Sequence, residues 1–155
     1  MNLQRREALK HSATVAALLA GAGWLPAARA QASAFNRAAF EAKSLADVAK
    51  ALGTAAPVES KDIALAAPDI AENGAVVPLG VATTIPGARR LLLLVEKNPN
   101  ALAAAFDVSD AVEPNFSTRV KMGQTSNVYA VAITADNKAF FAQKEVKVTL
   151  GGCGG

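Results

Sequence analysis

Two periodicities divide the chain. Over residues 35–52 the apolar positions follow helical spacing, with Leu45, Val48, Ala49 and Leu52 on one face. Ser44-Leu45-Ala46-Asp47 has the form of a capping box, and Gly53 is placed to stop the turn. The pattern predicts a helix in two pieces, followed by a connector over 54–60 that contains Pro57. Beyond residue 60 the period falls to two. Ile63, Leu65 and Ala67 alternate with Asp62, Ala64 and Ala66, and Val77, Leu79, Val81, Thr83 and Ile85 share a face. Asn73-Gly74 between these runs predicts a tight hairpin, and Pro78 predicts an edge strand or a bulge.

Leu91–Val95 and Val128–Thr134 are apolar on both faces, the pattern of central strands in a sandwich core. Phe116, Thr118, Val120 and Met122 alternate with Ser117, Arg119 and Lys121. Turns are expected at Pro86-Gly87, Asn98-Pro99-Asn100 and Asp136-Asn137, with Gly80, Gly87 and Gly123 as turn or bulge residues. A last strand over about 139–150 follows. No helical pattern recurs after residue 53. Short strands punctuated by Gly, Pro and Asn define an all-β class: an antiparallel, immunoglobulin-like β-sandwich with a short helical N-terminal extension.

The first 30 residues read as an export address. Arg5-Arg6 precedes the apolar stretch Ser12–Ala22, and Ala28-Arg29-Ala30 offers a small-residue cleavage site. The apolar run is far short of the roughly 20 residues that would span a bilayer, and no cysteine at the cleavage point offers a lipid anchor. The organisation expected is a twin-arginine leader over 1–30, a helical extension and connector over 31–60, the sandwich over 61–150 and an arm over 151–155.

Removing the leader changes the chemistry. It holds Arg5, Arg6, Lys10 and Arg29 of the 16 basic residues and Glu7 of the 13 acidic ones, which leaves twelve of each and no net charge. No basic stripe remains for nucleic acid. The leader also contains His11 and Trp24, the only histidine and tryptophan. With one cysteine and no histidine, the remainder cannot build a Ser-His-Asp triad, a Cys-His dyad, a His-ligated metal site or an internal disulfide. Its carboxylates are scattered apart from Asp107, Asp110 and Glu113, which read as the polar rim of a turn. The expectation is a protein with no catalytic residues, no metal and no cofactor of its own.

That single cysteine is the most informative residue. Cys153 stands between Gly151-Gly152 and Gly154-Gly155. Glycine visits φ > 0 freely, so the segment resists helix and sheet and is expected to be a flexible arm. The preceding strand sets Val146, Val148 and Leu150 on one face, so the arm begins where side chains stop. A thiol on a slender tether suits delivery into other proteins' active sites, where its activation would occur. An ordinary thiol titrates near 8.5 and is only a few per cent ionised at neutral pH.

The terminal Gly-Gly-Cys-Gly-Gly resembles the carrier motif of the SoxY family, the sulfur-carrier subunits of the periplasmic thiosulfate-oxidising Sox system. The likeness extends through residues 67–74 and 76–78, Leu94-Val-Glu-Lys-Asn-Pro99, residues 118–127 and Lys144-Glu-Val-Lys-Val-Thr-Leu150. It is weaker over residues 31–60 and the loop 108–114. The resemblance implies an immunoglobulin-like sandwich in a heterodimer with a SoxZ-like subunit, exported to the periplasm. It implies covalent sulfur adducts on Cys153: an S-thiosulfonate loaded by a haem enzyme, then a persulfide once a manganese-dependent hydrolase has released sulfate. A sulfane dehydrogenase, where present, oxidises the remaining sulfur. Two other readings compete. Ubiquitin-like carriers also end in Gly-Gly, but their β-grasp fold needs a helix between hairpins. An exported scaffold or adhesion sandwich could use Cys153 for covalent linkage.

Overall fold

The computed structural model describes residues 36–150; the leader with Arg5 and Arg6, and the segment Gly151–Gly155 with Cys153, lie outside the described residues. Two helices come first, α1 (Arg37–Glu41) and α2 (Leu45–Ala51). Each has the cap its sequence offers: Asn36 Oδ1 accepts the Ala39 amide and Ser44 Oγ accepts the Asp47 amide, both at 3.1 Å. Gly53 ends α2 at φ +70°, which glycine adopts without steric cost.

The remaining elements are β1 (Val58–Glu59), β2 (Ile63–Ala66), β3 (Ile70–Ala71), β4 (Val77–Thr83), β5 (Ala88–Val95), β6 (Leu102–Asp107), β7 (Asn115–Val120), β8 (Ser126–Thr134) and β9 (Ala139–Val148). The larger sheet runs β1-β9-β8-β5-β6, with β3 also on β9, and the smaller runs β2-β4-β7. Long pairings are antiparallel, whereas β1 and β3 lie parallel to β9. The chain is therefore the all-β, antiparallel, immunoglobulin-like sandwich that the alternation predicts. At the rim, Phe106 of β6 stacks on Phe116 of β7 with centroids 4.8 Å apart, joining the two sheets.

The strands that are apolar on both faces have a specific cause. Leu91, Leu93 and Val95 point inward with Val128, Ala130 and Val146 against Leu79 and Val81 of the smaller sheet. Leu92 and Leu94, with Val131 and Ile133, point outward onto Ala39 and Val48 of the helices. One face fills the sandwich core and the other a second core beneath the helices. The helical segment, expected as an extension, packs as a third layer. Among the described residues no helix is long and apolar enough to cross a membrane.

Four local expectations need correction. Asn73-Gly74 is not a two-residue hairpin: neither residue takes the positive φ such a turn requires. β2 and β4 do pair, from Ile63↔Thr83 to Ala66↔Gly80, but residues 67–76 between them leave the smaller sheet to lay β3 against β9. Pro78 is in the middle strand, not on an edge. It fits because the register of β2 stops at Gly80, so only β7 pairs at Pro78. Gly80 is neither turn nor bulge; it lies within β4, where a Cβ would stand 3.2 Å from that of Ala66. The connector over 54–60 contains β1, which pairs with Phe140 and Phe141. The turns at Gly87 (φ +72°) and Asn137 (φ 59°) form as expected. At the second, hydrogen bonds from Lys138 and Thr134 bring the Asp136 carboxyl down to about 2.

Because β5 is buried on both faces, Leu92→Ala and Leu93→Ala should each destabilise the protein by about 2–5 kcal/mol, while exposed Val112→Ala stays within about 0.5 kcal/mol. Urea titration of the three variants checks this, and a near-neutral Leu92→Ala would contradict the helical layer.

Candidate functional site at the root of the arm

The thiol of Cys153 and its flanking glycines lie outside the described residues, but the frame from which they depart is fully described. The approach to the arm is β9, alternating Val146 and Val148 against Glu145 and Lys147. On its inner side β9 pairs with β8 from Ala139 to Val146. Pairing with β8 then ends, and other groups take over the backbone one residue at a time.

Thr125 Oγ1 accepts the Val148 amide at 3.0 Å. On the opposite edge, the segment Asp69–Gly74 acts as a strap. The Asp69 carbonyl accepts the Lys147 amide at 3.0 Å, the Ala71 carbonyl accepts the Thr149 amide at 3.1 Å, and the Gly74 amide donates to the Leu150 carbonyl at 2.8 Å. Thr149 Oγ1 adds a bond to the Glu72 carbonyl at 3.1 Å. The chain is thus held by backbone hydrogen bonds through Leu150, the residue before the first arm glycine.

The strap is itself fixed at both ends. Lys144 Nζ reaches the Ala67 carbonyl at 2.8 Å and the Asp69 carboxylate at 2.9 Å. At the other end Asn73 Oδ1 accepts the Ala75 amide at 2.8 Å, closing an Asx turn, and the Gly74 carbonyl accepts the Met122 amide at 2.7 Å. Next to it, Asn98 donates to the Lys121 carbonyl at 2.7 Å, and Ser126 Oγ accepts the Lys97 amide at 3.0 Å. Glu96 accepts from Asn127 Nδ2 at 3.0 Å and from the Tyr129 hydroxyl at 3.4 Å. Burial, and then the Glu96 carboxylate, push the Tyr129 phenol above its usual range.

Four sequence blocks therefore converge on one end of the sandwich: residues 67–78, 94–99, 118–127 and 144–150. Local pattern alone predicts a hairpin for the first and no role for Thr125, because the partners of both are distant in the chain. Lys144 and Lys147, the nearest cations to Cys153 in sequence, are both in this frame, and Lys144 is bound to the strap. The acidic trio plays no part in it. Asp107 pairs with Arg90 at 2.6 Å and Asp110 with Arg89 at 2.7 Å, beside strand ends remote from the arm root. Among the described residues no group of His, Cys, Asp or Glu could hold a metal ion. An open hollow of about 390 Å³ on the smaller sheet, bordered by Pro68, Pro78, Gly80 and Ser117, offers Arg119 as its one ionisable side chain.

Fold and site together define a class: an immunoglobulin-like body whose last strand is clamped up to the point where a cysteine-bearing glycine segment begins. Residues 48–153 match the family described as sulfur oxidation protein SoxY. Among solved structures the chain is similar to the sulfur carrier protein SoxY from Chlorobium limicola f thiosulfatophilum, at 40% identity and TM-score 0.58, over 67% of this chain and 96% of that one. A superoxide reductase (neelaredoxin) from Ignicoccus hospitalis shares the fold at 18% identity and TM-score 0.50, over 56% of this chain and 78% of that one. No curated protein sequence matches significantly. The chain belongs to the SoxY family. Membership supports a sulfur-carrier role, that of a carrier subunit as opposed to a catalyst, and implies Sox-system partners such as SoxZ.

Thr125→Val keeps the volume but removes the acceptor for the Val148 amide. It should cost about 1–3 kcal/mol and speed hydrogen exchange at Val148 and Thr149 more than at Ala130 in mid-β8. Equal exchange rates in variant and parent would contradict the clamp.

Proposed function

We propose that the protein carries sulfur covalently on Cys153 during thiosulfate oxidation, presenting each intermediate to enzymes that act on it in turn. The observation that supports this most is the junction at Leu150: hydrogen bonds hold the chain up to that residue, and Gly-Gly-Cys-Gly-Gly follows, in a chain of the SoxY family. A fixed root gives the thiol a defined origin, and small flanking residues let it pass through a narrow opening.

The chemistry balances as follows. In loading, a bond forms between Cys153 Sγ and the outer sulfur of thiosulfate: Cys-SH and S2O3(2−) give Cys-S-S-SO3(−), one proton and two electrons. The electrons go to the haem groups of the loading enzyme. In release, water attacks the sulfonate sulfur on the manganese-dependent hydrolase, giving sulfate, the persulfide Cys-S-S(−) and two protons. Where present, a sulfane dehydrogenase takes six electrons from the outer persulfide sulfur, so that Cys-S-S(−) and three waters give Cys-S-SO3(−) and six protons; water on the hydrolase then releases sulfate and a proton and restores Cys-SH. The protein brings no cofactor of its own and works as a heterodimer with a SoxZ-like subunit. The Arg5-Arg6 leader directs it to the periplasm by the twin-arginine route.

Incubation with thiosulfate and the loading enzyme should add one thiosulfate-derived mass to the peptide containing Cys153. Cys153→Ser should abolish that adduct and thiosulfate-dependent sulfate release while leaving the circular dichroism spectrum and melting unchanged. A Cys153→Ser protein that still supports turnover would refute sulfur carriage and favour a scaffold that works through surface contacts.

A further inference from the structure

Large apolar side chains left in water are few on this body, and they are not evenly spread. Among the described residues the exposed ones are Val58, Ile70, Val76, Val112 and Leu150. Val58 pairs with Phe140 near the far end of β9, and Val112 lies in the β6–β7 loop. The other three border the root of the arm. Ile70 stands opposite Lys147 on β3, Val76 follows the Asx turn whose Gly74 amide holds Leu150, and Leu150 is the last residue before the glycines. Their exposures are 57%, 54% and 70%.

The backbone around them explains why they cannot turn inward. Ala71, next to Ile70, is 6% exposed and takes the inward position, and Val77, next to Val76, is fully buried at the start of β4. Period-two alternation therefore commits Ile70 and Val76 to the outside. Large apolar side chains gathered in water on one part of a surface mark a place that another protein covers.

The arm's length selects what covers it. From Leu150 to Cys153 is three residues, a reach of about 10 Å at roughly 3.3–3.6 Å per residue. A catalytic centre recessed in a channel can meet the thiol only if the channel mouth comes down onto the root. We infer that Ile70, Val76 and Leu150 form a docking collar for the apolar rim of the active-site channel of an enzyme that modifies Cys153. The collar rests on the reading of Cys153 as the carried thiol. Because the root is clamped through Leu150, docking is set by the body, and the glycines supply only the final reach.

The test uses the carrier in complex with its partner subunit, carrying Ile70→Ser and Val76→Ser with the arm intact. Kinetics are measured with the enzyme that releases sulfate from the loaded thiol. The collar predicts that KM for the carrier rises about tenfold or more, since two large side chains leave an apolar contact. It also predicts unchanged kcat at saturating carrier and unchanged alkylation of Cys153 by iodoacetamide. Val76→Thr alone should give a smaller rise in the same direction, and it serves as the test should the double variant fail to fold. An unchanged KM overturns the collar, and so does loss of the partner subunit from the complex, which would make the patch a subunit seam. Failure of the carrier reading itself shows separately, as turnover with Cys153→Ser and an intact collar.

Discussion

A strand that leaves its sheet keeps its order only up to a certain point. Here that point is set by which backbone groups find partners. β9 loses β8 after Val146, and a free strand end would fray from there, with amides open to water. Thr125 on one side and the Asp69–Gly74 strap on the other extend the order to Leu150. Without them β9 would be free to fray back toward Val146.

Rigidity at the root depends on rigidity behind it. β5 and β8 are buried on both faces because the helices supply a third layer, so the central strands of the larger sheet are packed from two sides. β9 is hydrogen-bonded along most of its length to one of these strands. The charged residues of the body serve this architecture: Lys144 fastens the strap, while Arg89 and Arg90 pair with Asp110 and Asp107 across exposed rims where such pairs contribute little.

Much of this was legible in the sequence. Alternation placed the strands, Ser44 and Gly53 bracketed a helix, and Gly-flanked Cys153 with the surrounding blocks pointed to the family. What was not legible shares one cause. Asn73-Gly74 has local hairpin chemistry, but its neighbours Ala71 and Glu72 find their partner in Thr149, and no local signal reports a bond of that separation. Pro78 looked like an edge residue because sequence shows the missing amide and not where a neighbouring strand stops. The outward faces of Leu92 and Leu94 gave no hint that short helices, instead of a second sheet, would cover them. Local rules failed where long-range pairing decided.

The strap has one more consequence, for assembly. Its bonds to the last strand, Lys144 to Ala67 and Thr149 to Glu72, each join residues 77 positions apart. Closing so long a loop costs entropy that is recovered only once both ends are in place. The root of the arm therefore depends on segments that the chain must bring together from far apart. Chains that are incomplete or misfolded anywhere between the strap and β9 lack these bonds, which ties the junction at Leu150 to completion of the fold.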